Sequence, residues 1–468
     1  MSRRWGIAAF CAVAWFSLVG PVTAAPTPTP DPILRWNQLA CDAMAADHTG
    51  TFGPASQGGP TRAARAIAIV HLAMFDAANS CNQKFTPYRT LVPFLGQYAS
   101  LDAAVAQAGH DTLVAMYPNQ AAGFDAALTQ DLNAVTNVIQ RVLGIIVGKI
   151  AAKSLLDARA KDGSANNPVY TPGTLPGQHR PDPLHLEQGF LTPGWGAVKP
   201  FALLTGKQFR AAPPPALNSD FYAWSFDQLL RLGGDGVNSP TERTAEQTLI
   251  GVFWGYDGTK QLGPPPRLYN QLTRVIAENK QNDVLTNARL FALINVAMAD
   301  AGIACWETKY HYNFWRPVLG IREADEGTGP SGLGDGNPNT QGDVNWTPLG
   351  APASNLSGTD FTPPFPAYPS GHATFGAALC QTLRNFYGTD NIEFDFVSDE
   401  CNGVTTDALG VIRPLSKRHY TTLTQVENEN AMSRIYLGVH WFFDASSGVI
   451  MGRQVADFTT KHYLKPVK

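Results

Sequence analysis

Residues 60–78 read PTRAARAIAIVHLAMFDAA, and this stretch decides the fold class. Pro60-Thr61 is a helix start, and Ile67, Val70, Met74 and Ala78 then recur at spacings of three and four, which places them on one helical face. The same period runs over 101–117, 122–160, 242–254, 286–316, 372–387 and 426–437, while convincing period-two strands are absent. The pattern predicts a mainly α protein. Pro/Gly-rich connections at 168–200, 212–218 and 327–369 punctuate it. The first of these separates an N-terminal helical bundle (32–165) from a C-terminal one (220–465), joined through 166–219, and the two read as packed bundles rather than independent domains.

Composition agrees. The chain has 468 residues, 44% hydrophobic and only 16% charged, so a large buried core is expected and neither a coiled coil nor a disordered tail fits. Residues 1–25 carry Arg3 and Arg4, an apolar run from Trp5 to Gly20 and Val22-Thr23-Ala24 before Ala25, the three-part pattern of a secretory leader; the expected destination is periplasmic or secreted. Losing those two arginines moves the net charge from −3 to −5, with no basic stripe for a phosphate backbone, so nucleic acid is not an expected partner. Downstream, the most hydrophobic candidate for a membrane helix, 137–160, is interrupted by Arg141, Lys149 and Lys153, so no membrane insertion is expected after leader removal. Oligomeric state is not legible.

Cys41, Cys81, Cys305, Cys380 and Cys401 fit no zinc spacing and no disulfide framework; Cys41–Cys81 and Cys380–Cys401 stay open as pairings. Asp335, Asn337, Asn339 and Asp343 loosely follow a calcium-loop spacing, but Thr340 stands where the loop needs glycine, which favours a plain surface loop.

Three segments carry chemistry. In the first, Trp306-Glu307-Thr308-Lys309 is followed by Arg316-Pro317; seven residues are nearly two helical turns, so Lys309 and Arg316 are expected on one face, converging on one oxyanion, with Pro317 stopping or kinking the helix. In the second, Pro369-Ser370-Gly371-His372 opens a helix ending at Gly388, and a helix N-terminus offers free N–H groups and positive dipole to an anion. Ser370 adds a hydroxyl, Gly371 allows close backbone approach, and His372 is placed to exchange a proton. In the third, Ser433-Arg434 precede His440 and Asp444, which are one turn apart if helical; the carboxylate would orient the imidazole and leave its other nitrogen free.

Together, Lys309-x6-Arg316-Pro317, Pro369-Ser370-Gly371-His372 and Ser433-Arg434-x5-His440-x3-Asp444 resemble the three signature motifs shared by vanadium-dependent haloperoxidases and the type 2 phosphatidic acid phosphatase superfamily. The wording over 306–322, 361–375 and 434–444, with Tyr256-Asp257-Gly258 and Pro266-Arg267-Leu268-Tyr269-Asn270, is similar to the chloroperoxidase branch. The resemblance implies a vanadate cofactor whose non-axial oxygens are bound by Lys309, Arg316, Arg434, Ser370 and the Gly371 amide, with His440 as the ligand to vanadium and His372 as the acid–base residue. It further implies Asp444 and Asp257 as supporting groups, Asp257 pairing with Arg434, and a halide pocket of Trp306 and Phe365. Hydrogen peroxide, halide and an organic acceptor would be the reactants, giving hypohalous acid. The rival reading is a secreted acid phosphatase in which His440 attacks phosphorus and His372 protonates the leaving alcohol; a third is a silent anion-binding protein, against which His372 argues.

Overall fold

A computed structural model describes residues 31–467, so the leader expected at 1–25 lies outside the described residues. Fourteen α-helices appear among them. Six lie before residue 160: α1 (Pro32–Asp47), α2 (Pro60–Asn82), α3 (Pro93–Gly96), α4 (Leu101–Met116), α5 (Ala121–Ala134) and α6 (Val138–Arg159). Eight follow residue 219: α7 (Asp220–Leu232), α8 (Ala245–Phe253), α9 (Pro265–Asn279), α10 (Val284–Tyr312), α11 (Pro317–Arg322), α12 (Gly371–Tyr387), α13 (Leu423–Tyr436) and α14 (Phe442–His462). The mainly α expectation holds. Two corrections concern detail. A short antiparallel hairpin, β1 (Phe394–Val397) with β2 (Lys417–Tyr420), pairs Phe394 with Tyr420; four residues a strand are too few to register as a period of two. The run 122–160 is two helices, because Asn137 N-caps α6 by accepting from Gln140 N and the chain turns at Val135–Asn137.

The centre of the molecule is α10, packed against α2, α12 and α14. Its N-cap is Asp283, which accepts from Thr286 N, and 22 of its 29 residues are buried, because a helix surrounded by others must be apolar all round. Among the described residues α10, not 137–160, is the helix long and apolar enough to cross a membrane, but 94% of its apolar stretch is buried inside the protein. One continuous core runs from Ile33 to Leu464 and takes side chains from both halves. A second, smaller cluster, rich in aromatics that include Tyr222, Phe314, Trp315, Trp346, Trp441 and Phe443, sits beside the third motif. All five described cysteines are free thiols, which closes the open pairings. Asp335 spends its carboxylate on Asn337 N and Thr340 Oγ1, stapling its own loop, and no cluster of metal-ligating side chains forms among the described residues.

Candidate active site

The three motifs meet at one buried point. α10 ends at Tyr312 because Asn313 turns left-handed (φ 55°), so Arg316 is not on the same helix as Lys309. Arg316 is instead the N-cap of α11, and Pro317 begins that helix rather than ending α10. The two cations still converge, now from a helix end and from the turn after it. Both are held by the carbonyls of one extended segment: Lys309 Nζ donates to Pro366 O (2.8 Å) and Ala367 O (2.9 Å), and Arg316 Nε donates to Phe365 O (2.8 Å).

Ser370 caps α12, its Oγ accepting from Ala373 N, which leaves the Gly371 end of the helix directed at the same point. His372 lies in its first turn. Its Nε2 donates to Gly255 O (2.7 Å), and since a carbonyl only accepts, the proton sits on Nε2 and the Nδ1 lone pair is free. Burial, with Arg434 nearby, pushes His372 down to about 4, so the ring is neutral at pH 7.

His440 and Asp444 straddle a helix start instead of sharing a helix. Trp441 is the N-cap of α14 and its N–H donates to Asp444 Oδ2 (3.0 Å), while His440 Nδ1 donates to the same oxygen (2.9 Å). One carboxylate thus caps the helix and fixes the imidazole. The other nitrogen, Nε2, keeps its lone pair and accepts from Arg316 Nη1 (3.0 Å). Burial and the neighbouring cations hold His440 well below its ordinary range, and burial raises Asp444 to about 7. Arg434, on α13, is gripped by Asp257 through two bonds of 2.9 Å, which realises the expected pair.

Lys309, Arg316 and Arg434 are all 1% exposed or less, and the site has fewer carboxylates than cations. Two of their N–H groups, Arg316 Nη2 and Arg434 Nε, are buried with no partner. Burial, aided by mutual repulsion, pushes Lys309 down to about 7 and Arg316 to about 9. Unpaired buried donors in a cationic cradle, next to a lone pair on His440, are the donor set of a tetrahedral oxyanion that can also take a bond from nitrogen. The residues therefore fit vanadate.

Above the cradle a narrow cleft is walled by Trp306, Phe365, Leu191, Phe361, Pro363, Pro364 and Pro60, with His372, Arg434 and His440 below. Trp306 and Phe365 touch, centroids 4.7 Å apart, and Phe365 lies over Lys309 Nζ (5.1 Å) and the Arg316 guanidinium (4.8 Å). The sequence pointed to every cradle residue and to Trp306, Phe365, Asp257 and Asp444. It did not point to Gly255, which acts through its carbonyl and has no residue-type signature, or to Leu191 and Pro60, which reach the cleft from the connection and the N-terminal half.

Comparison with known proteins decides the family. Vanadium chloroperoxidase of Curvularia inaequalis is 33% identical over 92% of this chain and 83% of that protein. The chain belongs to the vanadium haloperoxidase family. Residues 289–468 of this haloperoxidase, which carry all three motifs, also match the family model of the VCPO second helical-bundle domain. Among solved structures, the haloperoxidase is similar in fold to a bacterial vanadium-dependent iodoperoxidase (TM-score 0.73, 21% identity, 93% of this chain and 98% of that one). It is likewise similar to a bacterial vanadium-dependent chloroperoxidase (TM-score 0.64, 18% identity, 88% and 94%).

Proposed function

We propose that this enzyme binds vanadate and uses hydrogen peroxide to oxidise halide to hypohalous acid, which halogenates an organic acceptor. The observation that carries this reading is the pair of buried, unpartnered guanidinium N–H groups beside the His440 lone pair, in a cradle of three buried cations. Vanadate, when bound, supplies a non-redox Lewis-acid centre at which peroxide is polarised toward halide attack. Lys309, Arg316 and Arg434, with Ser370 and the Gly371 amide, hold the oxyanion and neutralise its charge; Arg316 Nη1 must leave His440 Nε2 for that nitrogen to act as ligand. His372 Nδ1, unprotonated at neutral pH, accepts a proton from the incoming peroxide. Asp444 keeps the His440 proton on Nδ1. Trp306 and Phe365 keep water from the halide's approach.

The leader-like residues 1–25 support export to the periplasm or medium, which N-terminal sequencing of the cell-free enzyme tests. Function is tested by one titration. Orthovanadate added to vanadium-free protein, with bromide, peroxide and a phenolic dye, should switch on dye bromination in proportion to occupancy, and phosphate should compete. In the same titration any slow hydrolysis of an activated phosphate ester should fall as vanadate mimics the five-coordinate transition state. Efficient ester turnover without halide oxidation at saturating vanadate would establish the acid phosphatase, with His440 as nucleophile.

A further inference from the structure

Two groups of the site are held by the loop between α8 and α9. Gly255 O takes the His372 Nε2 proton, and Asp257 grips Arg434. Between them Tyr256 has φ 50°, a left-handed conformation that an aromatic residue adopts only when its surroundings impose it. The loop's own backbone bonds, such as Gly258 N to Gly263 O (3.1 Å), close 258–263 and leave Tyr256 N and Asp257 to be held from outside. Three bonds hold the loop from the segment before β2: Tyr256 N donates to Glu400 Oε1 (3.1 Å), Asp399 N donates to Tyr256 Oη (2.8 Å), and Ser398 Oγ donates to Phe253 O (2.6 Å).

Glu400 is the one charged side chain among these, and it is fully buried. Its second oxygen accepts from Ser354 Oγ (2.5 Å) and pairs with Arg413, so the carboxylate is itself fixed in place. It presses against the backbone that carries the His372 acceptor: a Cβ on residue 255 would lie 2.7 Å from Glu400 Oε1, so only glycine lets the carboxylate sit there.

We propose that Glu400, anchored by Arg413, is a positioning residue of the active site: through Tyr256 it sets where Gly255 O and Asp257 lie, and so fixes the tautomer and aim of His372 and the bearing of Arg434. The inference rests on the reading of His372 as the acid–base group. It goes beyond the three motifs, from which Glu400 is remote in sequence.

The test compares Glu400→Ala with Glu400→Gln, which keeps the shape and an acceptor for Tyr256 N but loses the charge. In Glu400→Ala, kcat for bromide oxidation should fall at least tenfold per folded molecule with KM for bromide within twofold, and Glu400→Gln should recover most of that loss. Nitrogen NMR of the vanadium-free, histidine-labelled protein, with His372 assigned by His372→Gln, should show one Nε2-protonated tautomer in wild type and a mixture in Glu400→Ala. If Glu400→Ala fails to fold, Arg413→Met replaces it, with the same expected shifts in smaller degree. A lowered melting temperature with unchanged kcat and tautomer would overturn the proposal and leave Glu400 a structural residue. If wild type oxidises no halide, the haloperoxidase reading falls, yet the tautomer measurement still decides what Glu400 does.

Discussion

His440 and His372 are both buried and neutral, but their protons sit on opposite nitrogens: Nδ1 of His440, on Asp444, and Nε2 of His372, on Gly255 O. One ring therefore offers Nε2 as a ligand, and the other offers Nδ1 as a base. Different losses follow. His440→Ala should abolish stable vanadate binding, whereas His372→Ala should bind vanadate and lose on the order of 10²–10⁴ in kcat, the usual contribution of a general acid–base. Equilibrium dialysis with turnover separates the two, and equal affinity in wild type and His440→Ala would remove the ligand assignment. Phe365 carries a second prediction. An apolar ring packed on Trp306 and lying over two cations keeps halide poorly hydrated near the site, so bromide and iodide should be oxidised readily and chloride detectably. Turnover with iodide alone across a broad pH range would show that this wall does not set the halide range.

At the scale of elements, the site is built from helix ends and turns. Lys309 lies in the last turn of α10, Arg316 before α11, Ser370 before α12, Arg434 in the last turn of α13 and His440 just before α14. The connection from α13 to His440 depends on Gly438, which has φ 73° and whose Cβ would lie 2.4 Å from Gly233 O. Gly438→Ala should cost about 1–3 kcal/mol in backbone strain alone and displace His440, lowering the melting temperature and weakening vanadate binding at least tenfold. Unchanged affinity in that variant would mean the turn is not what places the ligand. This construction also explains what was legible. Residue types with sharp chemistry, such as Lys309, Arg316, His372 and His440, announce themselves by spacing. The geometry behind the spacing did not: Lys309 and Arg316 suggested one helical face, yet Asn313 breaks the helix between them, and His440 and Asp444 suggested one helical turn, yet Trp441 starts a helix between them. Helices such as α2 and α12 were visible, whereas α1, α7, α9 and α14 escaped notice; α9 does carry a stripe, with Leu268, Leu272 and Ile276 buried at spacings of four, but its Pro264-Pro265-Pro266 start reads as a connection rather than a helix.

Across the whole molecule, the N-terminal and C-terminal halves are tied by a buried polar chain. Asn37 of α1 donates to Asn270 of α9 (2.9 Å), Asn270 exchanges bonds of 2.9 Å with Asn295 of α10, and Asn37 Nδ2 donates to His71 Nε2 of α2 (3.0 Å), whose ring stacks on Phe291. His71 must stay neutral to accept that bond, and burial pushes it down to about 3. An unfolded histidine titrates near 6.5, so between about pH 3 and 6.5 the unfolded chain holds one more proton at this position, and stability falls as pH falls, by at most about 1.4 kcal/mol per pH unit. Asp76 and Asp300 oppose this trend. Burial raises each to about 6, so their folded forms hold protons that the unfolded chain releases, and their contribution is lost as pH rises through 6. The wild-type slope is thus a partial cancellation, and the His71 contribution is isolated by difference. His71→Gln, which keeps an acceptor for Asn37, should lower stability at pH 7 through lost packing, but the gap to wild type should shrink by about 3 kcal/mol at pH 4.5. Because His71 sits where α1, α2, α9 and α10 meet, urea unfolding followed through tryptophans of both halves should remain one transition at either pH. A gap independent of pH, or two transitions in wild type, would show that this joint does not couple the halves.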